Sequence, residues 1–271
     1  MRLKNKLNQN KFKFVLIILL ISLFVSFFNG IHKNRTLAKM NEDYKLSDTY
    51  QQESLIERTR FVTKRDGEVT IVVLGSSVTF GKGATEAQPV WGNLLEADLN
   101  GIDGIKVEVI NHGYSGYSTA DLISKHKIEA VIKDNPDIII FELCLINNNR
   151  YPQNDMEQTK ADIQWIMARF SEELPDTLVI LQTANPTLYN DVFLKEGKVT
   201  YNQYNNEIVD FVTTQQWPFI DTYHIMLSKM KEQQLPLDYF LADDVHPNGD
   251  GYHMWFELLK ERLEVPVKTL H

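Results

Sequence analysis

The fold of this chain is constrained most strongly by an alternation of short apolar runs with longer amphipathic stretches from residue 70 onward. Helices are predicted within the amphipathic stretches, at about 90–99, 118–133, 155–173, 201–214 and 249–263. The apolar runs are rich in Val, Ile and Phe and predict five strands, at 70–74, 107–111, 137–143, 177–182 and 218–221. Because parallel strands need a crossover connection, this order predicts a doubly wound α/β/α sandwich with a five-stranded parallel sheet. Ligands are then expected at the carboxyl ends of the strands.

The N-terminal 39 residues differ from the rest, with eight basic side chains, no acidic one, and an apolar run from Phe14 to Phe28. That run of 15 residues is shorter than the roughly 20 of a full span, and residues 29–31 extend it into the interface. No small residue follows the run directly to mark a cleavage site, so we predict an uncleaved anchor. Five of the basic residues precede the run, which keeps the N-terminus in the cytoplasm. The chain is then a single-pass membrane protein with its main domain outside; cleavage would release a secreted protein.

The predicted organisation is an anchor at 1–31, a polar stem at 32–66 and one domain at 67–271. Of the 28 basic residues, 20 lie beyond residue 39 against 36 acidic ones, which gives residues 40–271 a formal charge of −16. This sign disfavours nucleic acid as a partner, because affinity for phosphate backbones comes mainly from Lys and Arg. Cys144 is the only cysteine, which excludes an intrachain disulfide and a cysteine-based metal cluster.

A hydroxyl group follows the first predicted strand, where the chain runs Gly75-Ser76-Ser77. Ser77 is placed just beyond the carboxyl end of that strand, where a nucleophile would be presented. A serine needs a base to react at neutral pH, and the base needs a partner that fixes its tautomer. Asp243 and His246, three residues apart in the last loop, can supply both groups from one turn.

Two further residues follow the second and third predicted strands. Acyl transfer needs donors for the developing oxyanion, and these are backbone N–H groups or amide side chains. Gly116 lets the backbone approach a substrate without an intervening Cβ, and Asn147 offers two side-chain N–H donors.

Over residues 70–260 these motifs resemble the SGNH hydrolases, also called the GDSL esterase and lipase family. The first block of the family is similar to residues 75–79, and the second, Asn-x-Gly-x-Ser-Gly, matches residues 111–116. The third block follows a strand led by Pro-Asp, as residues 136–148 do here, and the fifth, Asp-x-x-His-Pro, matches residues 243–247. The resemblance implies the same three-layer, flavodoxin-like sheet.

The resemblance also implies a role for each matched residue: Ser77 is the nucleophile, His246 the base and Asp243 its partner, with Ser77, Gly116 and Asn147 forming the oxyanion hole. Asp243 is preferred to Asp244 because the family places the acid three residues before the base. No metal or organic cofactor is implied. Of the other histidines, His112, His224 and His253 are the competing bases, and Cys144 is the competing nucleophile; structural roles are predicted for all four.

The chain departs from the family pattern in two blocks. Ser76 stands where the family has Asp, and the third block has Leu145 for Gly and Asn148 for Asp. Because Asn149 follows, the register of the oxyanion asparagine is open by one residue.

The predicted function is a serine esterase acting outside the membrane on carboxylic esters, O-acetyl or other acyl groups, of an envelope polysaccharide or lipid. An acyltransferase using the same site, and a non-catalytic glycan-binding module on the same fold, are the alternatives.

Overall fold

A computed structural model describes residues 2–150, 155–188, 195 and 197–270. The chain divides into two compact units, Met1–Gln51 and Gln52–His271. The first contains the long helix α1, Arg2–Lys45, and a short helix α2, Asp48–Gln51. Within α1, residues 14–45 are long and apolar enough to cross a membrane, and none of the apolar window is buried. An N-terminal signal sequence would show the same properties.

The second unit is built on a five-stranded sheet with the order β2-β1-β3-β4-β5, in which every neighbouring pair is parallel. The strands are β1 Val69–Gly75, β2 Val107–Gly113, β3 Ile138–Glu142, β4 Leu178–Gln182 and β5 Phe219–Ile220. The fold prediction is confirmed, and each strand lies within two residues of its predicted bounds. Because β1 and β3 are neighbours while β2 lies on the far side of β1, the topological switch point is between β1 and β3.

The helices of this unit are α3 Leu55–Asp66, α4 Ser77–Phe80, α5 Trp91–Asn100, α6 Thr119–Ser124, α7 Lys127–Asp134, α8 Leu145–Asn149, α9 Met156–Glu173, α10 Tyr201–Thr214, α11 Thr222–Gln233 and α12 Gly249–Lys260. Two groups of them pack together. In the first, α12 contacts both α5 and α11; in the second, α9 contacts α6, α7 and α10. Short 3₁₀ helices span Leu237–Phe240 and Val267–Thr269.

Several helices differ from the sequence prediction, which did not include the short helices α4 and α8. The single helix predicted at 118–133 is two, α6 and α7, because His126 between them has a left-handed backbone with φ of 56°. The pattern did not predict α11 either. This helix begins one residue after the two-residue strand β5, and the intervening residue, Asp221, is its N-cap, because the Asp221 side chain accepts the His224 N–H.

Helix α3 lies in the segment predicted as a stem, and it packs within the second unit. Ser54 caps its N-terminus by accepting the Glu57 N–H, and Leu55, Ile56 and Val62 are buried in the main hydrophobic core. The Ile56 N–H also donates to the Leu263 carbonyl at 3.0 Å.

Burial along the strands explains their composition. All five residues of β3, Ile138–Glu142, are buried, as are all but Thr70 in β1. Parallel strands covered by helices on both faces have continuous apolar sequences. In the edge strand β2, by contrast, only the terminal residues Val107 and Gly113 are buried. Against this core, Trp91 of α5 and Trp255 of α12 stack with ring centroids 5.7 Å apart. Trp255 donates its Nε1–H to the side chain of Gln182 at the end of β4. This bond fixes α12, the helix that follows Asp243 and His246, to the sheet.

Candidate active site

The turn after β1 presents a buried serine. Ser77 is the first residue of α4, and only 4% of its surface is exposed. A Cβ on Gly75 would lie 2.6 Å from the Glu142 carboxylate and closer still to the Thr79 hydroxyl. Only glycine therefore lets the chain turn this tightly from β1 into α4.

A serine, a histidine and a carboxylate are aligned at this edge of the sheet. Ser77 Oγ lies 3.0 Å from His246 Nε2, and His246 Nδ1 lies 2.8 and 2.9 Å from the two oxygens of Asp243. A carboxylate at Nδ1 holds the proton on that nitrogen, which leaves the Nε2 lone pair facing the Ser77 hydroxyl. The arrangement can take a proton from Ser77 when its oxygen attacks a carbonyl.

The electrostatics of Asp243 favour its ionised form. Partial burial is the largest single influence and raises its pKa, but it is outweighed by hydrogen bonds from the backbone and ring of His246 and from the Val245 N–H. The net effect lowers the pKa of Asp243. The carboxylate is thus charged at neutral pH and can stabilise an imidazolium at His246.

The turn that carries Asp243 and His246 is tied down on several sides. The Ala242 N–H donates to the His246 carbonyl at 2.8 Å, and the buried Asn185, after β4, donates its side-chain N–H to the Val245 carbonyl at 2.8 Å. Asp244 is exposed, and its carbonyl accepts the Leu188 N–H. These bonds fix the base and its partner relative to the sheet.

Gly116 lies in the loop after β2, with a left-handed φ of 80°. The Arg150 guanidinium donates to the Gly116 carbonyl at 2.9 Å. The end of β2 and the start of this loop are hydrogen-bonded to the serine turn. The Asn111 side chain of β2 donates to the Thr79 carbonyl at 2.8 Å, and the Tyr114 N–H donates to the Gly75 carbonyl at 2.9 Å. These bonds hold the loop after β2 against the turn after β1.

Three consecutive asparagines in α8 differ in what their amides do. The side-chain oxygen of Asn148 accepts the Thr119 backbone N–H at 2.9 Å, and its side-chain nitrogen donates to the Thr119 hydroxyl at 3.1 Å. Asn149 donates to the Val199 carbonyl at 3.0 Å. Asn147 is buried, and its side-chain nitrogen has no hydrogen-bond partner among the described residues. Asn147 thus differs from Asn148 and Asn149 in having a side-chain N–H donor that no described residue accepts.

Glu142, at the end of β3, is a site residue that the sequence reasoning missed. It is fully buried and accepts hydrogen bonds from the backbone N–H groups of Ser76 and Cys144, both at 2.7 Å. Burial raises its pKa, and the hydrogen bonds oppose that effect in part. The available signal was a carboxylate that ends an otherwise apolar buried strand, because such groups are rarely buried without partners.

The other candidate bases and the candidate thiol nucleophile have hydrogen-bond partners outside the triad or are buried. His112 contacts Asp134 and the Tyr114 hydroxyl, and His224 contacts Asp221. Cys144 is buried and its pKa is raised by burial, which opposes formation of a thiolate. Within the described residues, no three His, Cys, Asp or Glu side chains group so as to hold a metal ion.

The family model of the GDSL-like lipase/acylhydrolase family matches residues 73–254 of this chain. No curated protein matches the sequence.

Solved structures share the fold at low sequence identity. An acetylxylan esterase of Geobacillus stearothermophilus, Axe2 in a catalytic mutant form, is 16% identical with a TM-score of 0.59 over 72% of this chain and 94% of its own. The acetyl xylan esterase AlAXEase is 19% identical with a TM-score of 0.58, over 71% and 98%. A lipolytic protein of the G-D-S-L family from Veillonella parvula is 19% identical with a TM-score of 0.54, over 71% and 96%.

Proposed function

The chain belongs to the GDSL-like lipase/acylhydrolase family, as its motifs predicted, and from that premise we propose that it is a serine esterase with Ser77, His246 and Asp243 as its catalytic triad. The observation that carries the proposal is the continuous line from Ser77 Oγ through the His246 ring to the Asp243 carboxylate, with each contact at 2.8–3.0 Å. Hydrogen-bonded contact between nucleophile, base and orienting acid is the signature of nucleophilic catalysis.

In the proposed reaction the Ser77 oxygen attacks the ester carbonyl while His246 takes its proton. The backbone N–H groups of Ser77 and Gly116 and the side-chain amide of Asn147 stabilise the oxyanion of the tetrahedral intermediate. The C–O bond to the alcohol then breaks, and His246 returns the proton to the leaving oxygen. Water, activated by the same histidine, attacks the acyl-enzyme and releases the carboxylic acid and free Ser77.

The side-chain nitrogen of Asn147, which has no partner in the described part of the chain, supports catalysis rather than glycan binding alone. A buried N–H donor without a partner costs free energy in the resting protein, so its retention suits a group that is satisfied when the oxyanion forms. The same observation supports Asn147 rather than Asn148 or Asn149 as the oxyanion donor.

We propose acetyl esters of an envelope polysaccharide as the substrate, with the enzyme anchored by its apolar N-terminal helix and its catalytic unit outside the membrane. Support comes from the acetylxylan esterases that share the fold and from the acidic charge beyond residue 39, which disfavours polyanionic ligands. The division into anchor 1–31, stem 32–66 and catalytic domain 67–271 remains a prediction.

The test is hydrolysis of p-nitrophenyl acetate, butyrate and decanoate and of acetylated xylo-oligosaccharides by the full chain in detergent micelles. We expect acetyl esters to be hydrolysed fastest and Ser77→Ala to be inactive. Ser76→Ala is the matched control, because its buried hydroxyl neighbours the site without contacting His246, and we expect it to retain activity. Equal rates for the parent and Ser77→Ala on every ester would refute the esterase proposal.

A further inference from the structure

We propose that Glu142 is a positioning residue that holds the serine turn and the asparagine helix of the active site in register; the inference rests on the esterase function proposed above. Glu142 lies at the carboxyl end of β3, and β3 pairs directly with β1, which carries the serine turn. Its carboxylate is therefore located between the two strand-end loops that supply the nucleophile and the Asn147 donor.

Each oxygen of the Glu142 carboxylate binds a different loop. Oε2 accepts the Ser76 N–H at 2.7 Å and the Thr79 hydroxyl at 3.3 Å, which fixes the residues on both sides of Ser77. Oε1 accepts the Cys144 N–H at 2.7 Å on the other loop. Glu142 itself has no exposed surface, so water does not compete for these bonds.

The bond to Cys144 acts on a strained residue. Cys144 has φ of 57° and ψ of 22°, a left-handed conformation that is unfavourable for a residue with a Cβ. Its carbonyl accepts the backbone N–H groups of Asn147 and Asn148, both at 3.0 Å, and so begins the helix that presents the Asn147 amide. Strained backbone of this kind persists only where the surroundings hold it, and Glu142 supplies a hydrogen bond that does so.

The local sequence is adapted to a carboxylate at this position. Gly75 leaves room for it, because a Cβ there would lie 2.6 Å from Glu142 Oε2. Two acceptor oxygens are needed, since N–H donors approach both ends of the group. Glutamine has nearly the same shape but offers one oxygen and one NH₂, so one backbone N–H would face another donor and that loop would have to move.

The experiment compares Glu142→Gln with the parent in the full chain in detergent micelles, using p-nitrophenyl acetate. We expect kcat per folded molecule to fall by roughly 10- to 100-fold, as small displacements of catalytic groups do, while KM changes by less than about threefold. The matched control is Glu96→Gln, because Glu96 accepts a single backbone N–H, that of Val109 at 3.0 Å, which glutamine can still accept. The control should keep the parent kcat.

A double-mutant cycle tests the route through Cys144. If Glu142 acts partly by placing Asn147, Glu142→Gln lowers kcat less in an Asn147→Ala background than in the parent. Independent effects, in which the two losses multiply, would overturn that route. Should Glu142→Gln fail to fold, Glu142→Asp replaces it, because its shorter side chain cannot reach both loops, and the same loss of kcat is expected.

The outcomes separate this inference from the esterase proposal. A parent that hydrolyses no ester refutes the esterase function. A parent that is active and depends on Ser77, together with a Glu142→Gln variant of unchanged kcat, refutes the positioning role alone. A lowered melting temperature with unchanged kcat per folded molecule would show that Glu142 is merely structural, and it would also overturn the inference.

Discussion

Replacing Asn147 by alanine, beside the same change at Asn148, tests whether the site is built as described. The two residues are neighbours of the same type in α8, and Asn148 has two side-chain hydrogen bonds, both to Thr119. The side-chain nitrogen of Asn147 has no partner among the described residues. Asn147→Ala should therefore lower kcat with little effect on stability, whereas Asn148→Ala should mainly lower stability.

The magnitudes follow from these contacts. Losing one oxyanion donor lowers the rate by roughly 10²–10³, or about 2.7–4 kcal/mol, so Asn147→Ala should lose that much in kcat. Its melting temperature should change little, because no hydrogen bond is lost and removing an unpaired buried donor offsets the loss of packing. Asn148→Ala loses two hydrogen bonds of about 0.5–1.5 kcal/mol each, which corresponds to a fall of about 2–12 °C in melting temperature.

The assay is hydrolysis of p-nitrophenyl acetate combined with thermal unfolding followed by circular dichroism near 280 nm. An Asn147→Ala variant that keeps the parent kcat would contradict the assignment of Asn147 as oxyanion donor. So would an Asn148→Ala variant that loses kcat while keeping the melting temperature. Either result would move the oxyanion role to another donor.

Three further predictions concern stability and pH. Hydrogen bonds lower the pKa of Asp243 in the folded protein, so its contribution to the free energy of unfolding is fully present above the unfolded pKa of about 3.9 and is lost as pH falls through the lower folded value. The difference in free energy of unfolding between the parent and Asp243→Asn, measured by urea unfolding, should therefore disappear below about pH 4. A difference that stays constant with pH would contradict this. Gly113→Ala places a Cβ against the Phe80 backbone nitrogen, so overpacking of about 1–3 kcal/mol or more should lower the melting temperature, and an unchanged value would refute the close approach. A Cβ at Gly116 would lie 3.7 Å from the Arg150 guanidinium, an ordinary contact, but the left-handed φ costs about 1–2 kcal/mol; Gly116→Ala should lower the melting temperature and also kcat on p-nitrophenyl acetate, because the Cβ obstructs the approach of substrate to this backbone, and an unchanged kcat would contradict the role proposed for Gly116.

The fold was predictable because the apolar runs coincide with buried strands. Residues 138–141 are apolar at every position because helices cover both faces of the sheet. The polar and small residues that follow each apolar run mark the strand ends. The division between α6 and α7 was not predictable, because a left-handed His126 leaves no mark in an amphipathic pattern that continues across it. Helix α11 was missed because only Asp221 separates it from β5, so the turn residues that usually mark a new element are lacking.

The site was predictable where chemistry demands particular residue types. Ser77, Asp243 and His246 were named from spacing and position, and the structure places them in hydrogen-bonded contact. The sequence left open which asparagine is the oxyanion donor, because three identical residues carry no pattern. Their different hydrogen bonds in the structure distinguish them. Glu142 was missed because its hydrogen-bond partners lie in two loops, distant in sequence, that meet only in the folded sheet.

The most direct test of the central claim is the site of covalent labelling by a fluorophosphonate ester, located by peptide mass spectrometry on the full chain. We expect one labelled serine, Ser77, with labelling slowed strongly in His246→Ala and retained in Ser76→Ala. Labelling of another serine, or labelling of Ser77 at the same rate without His246, would contradict it.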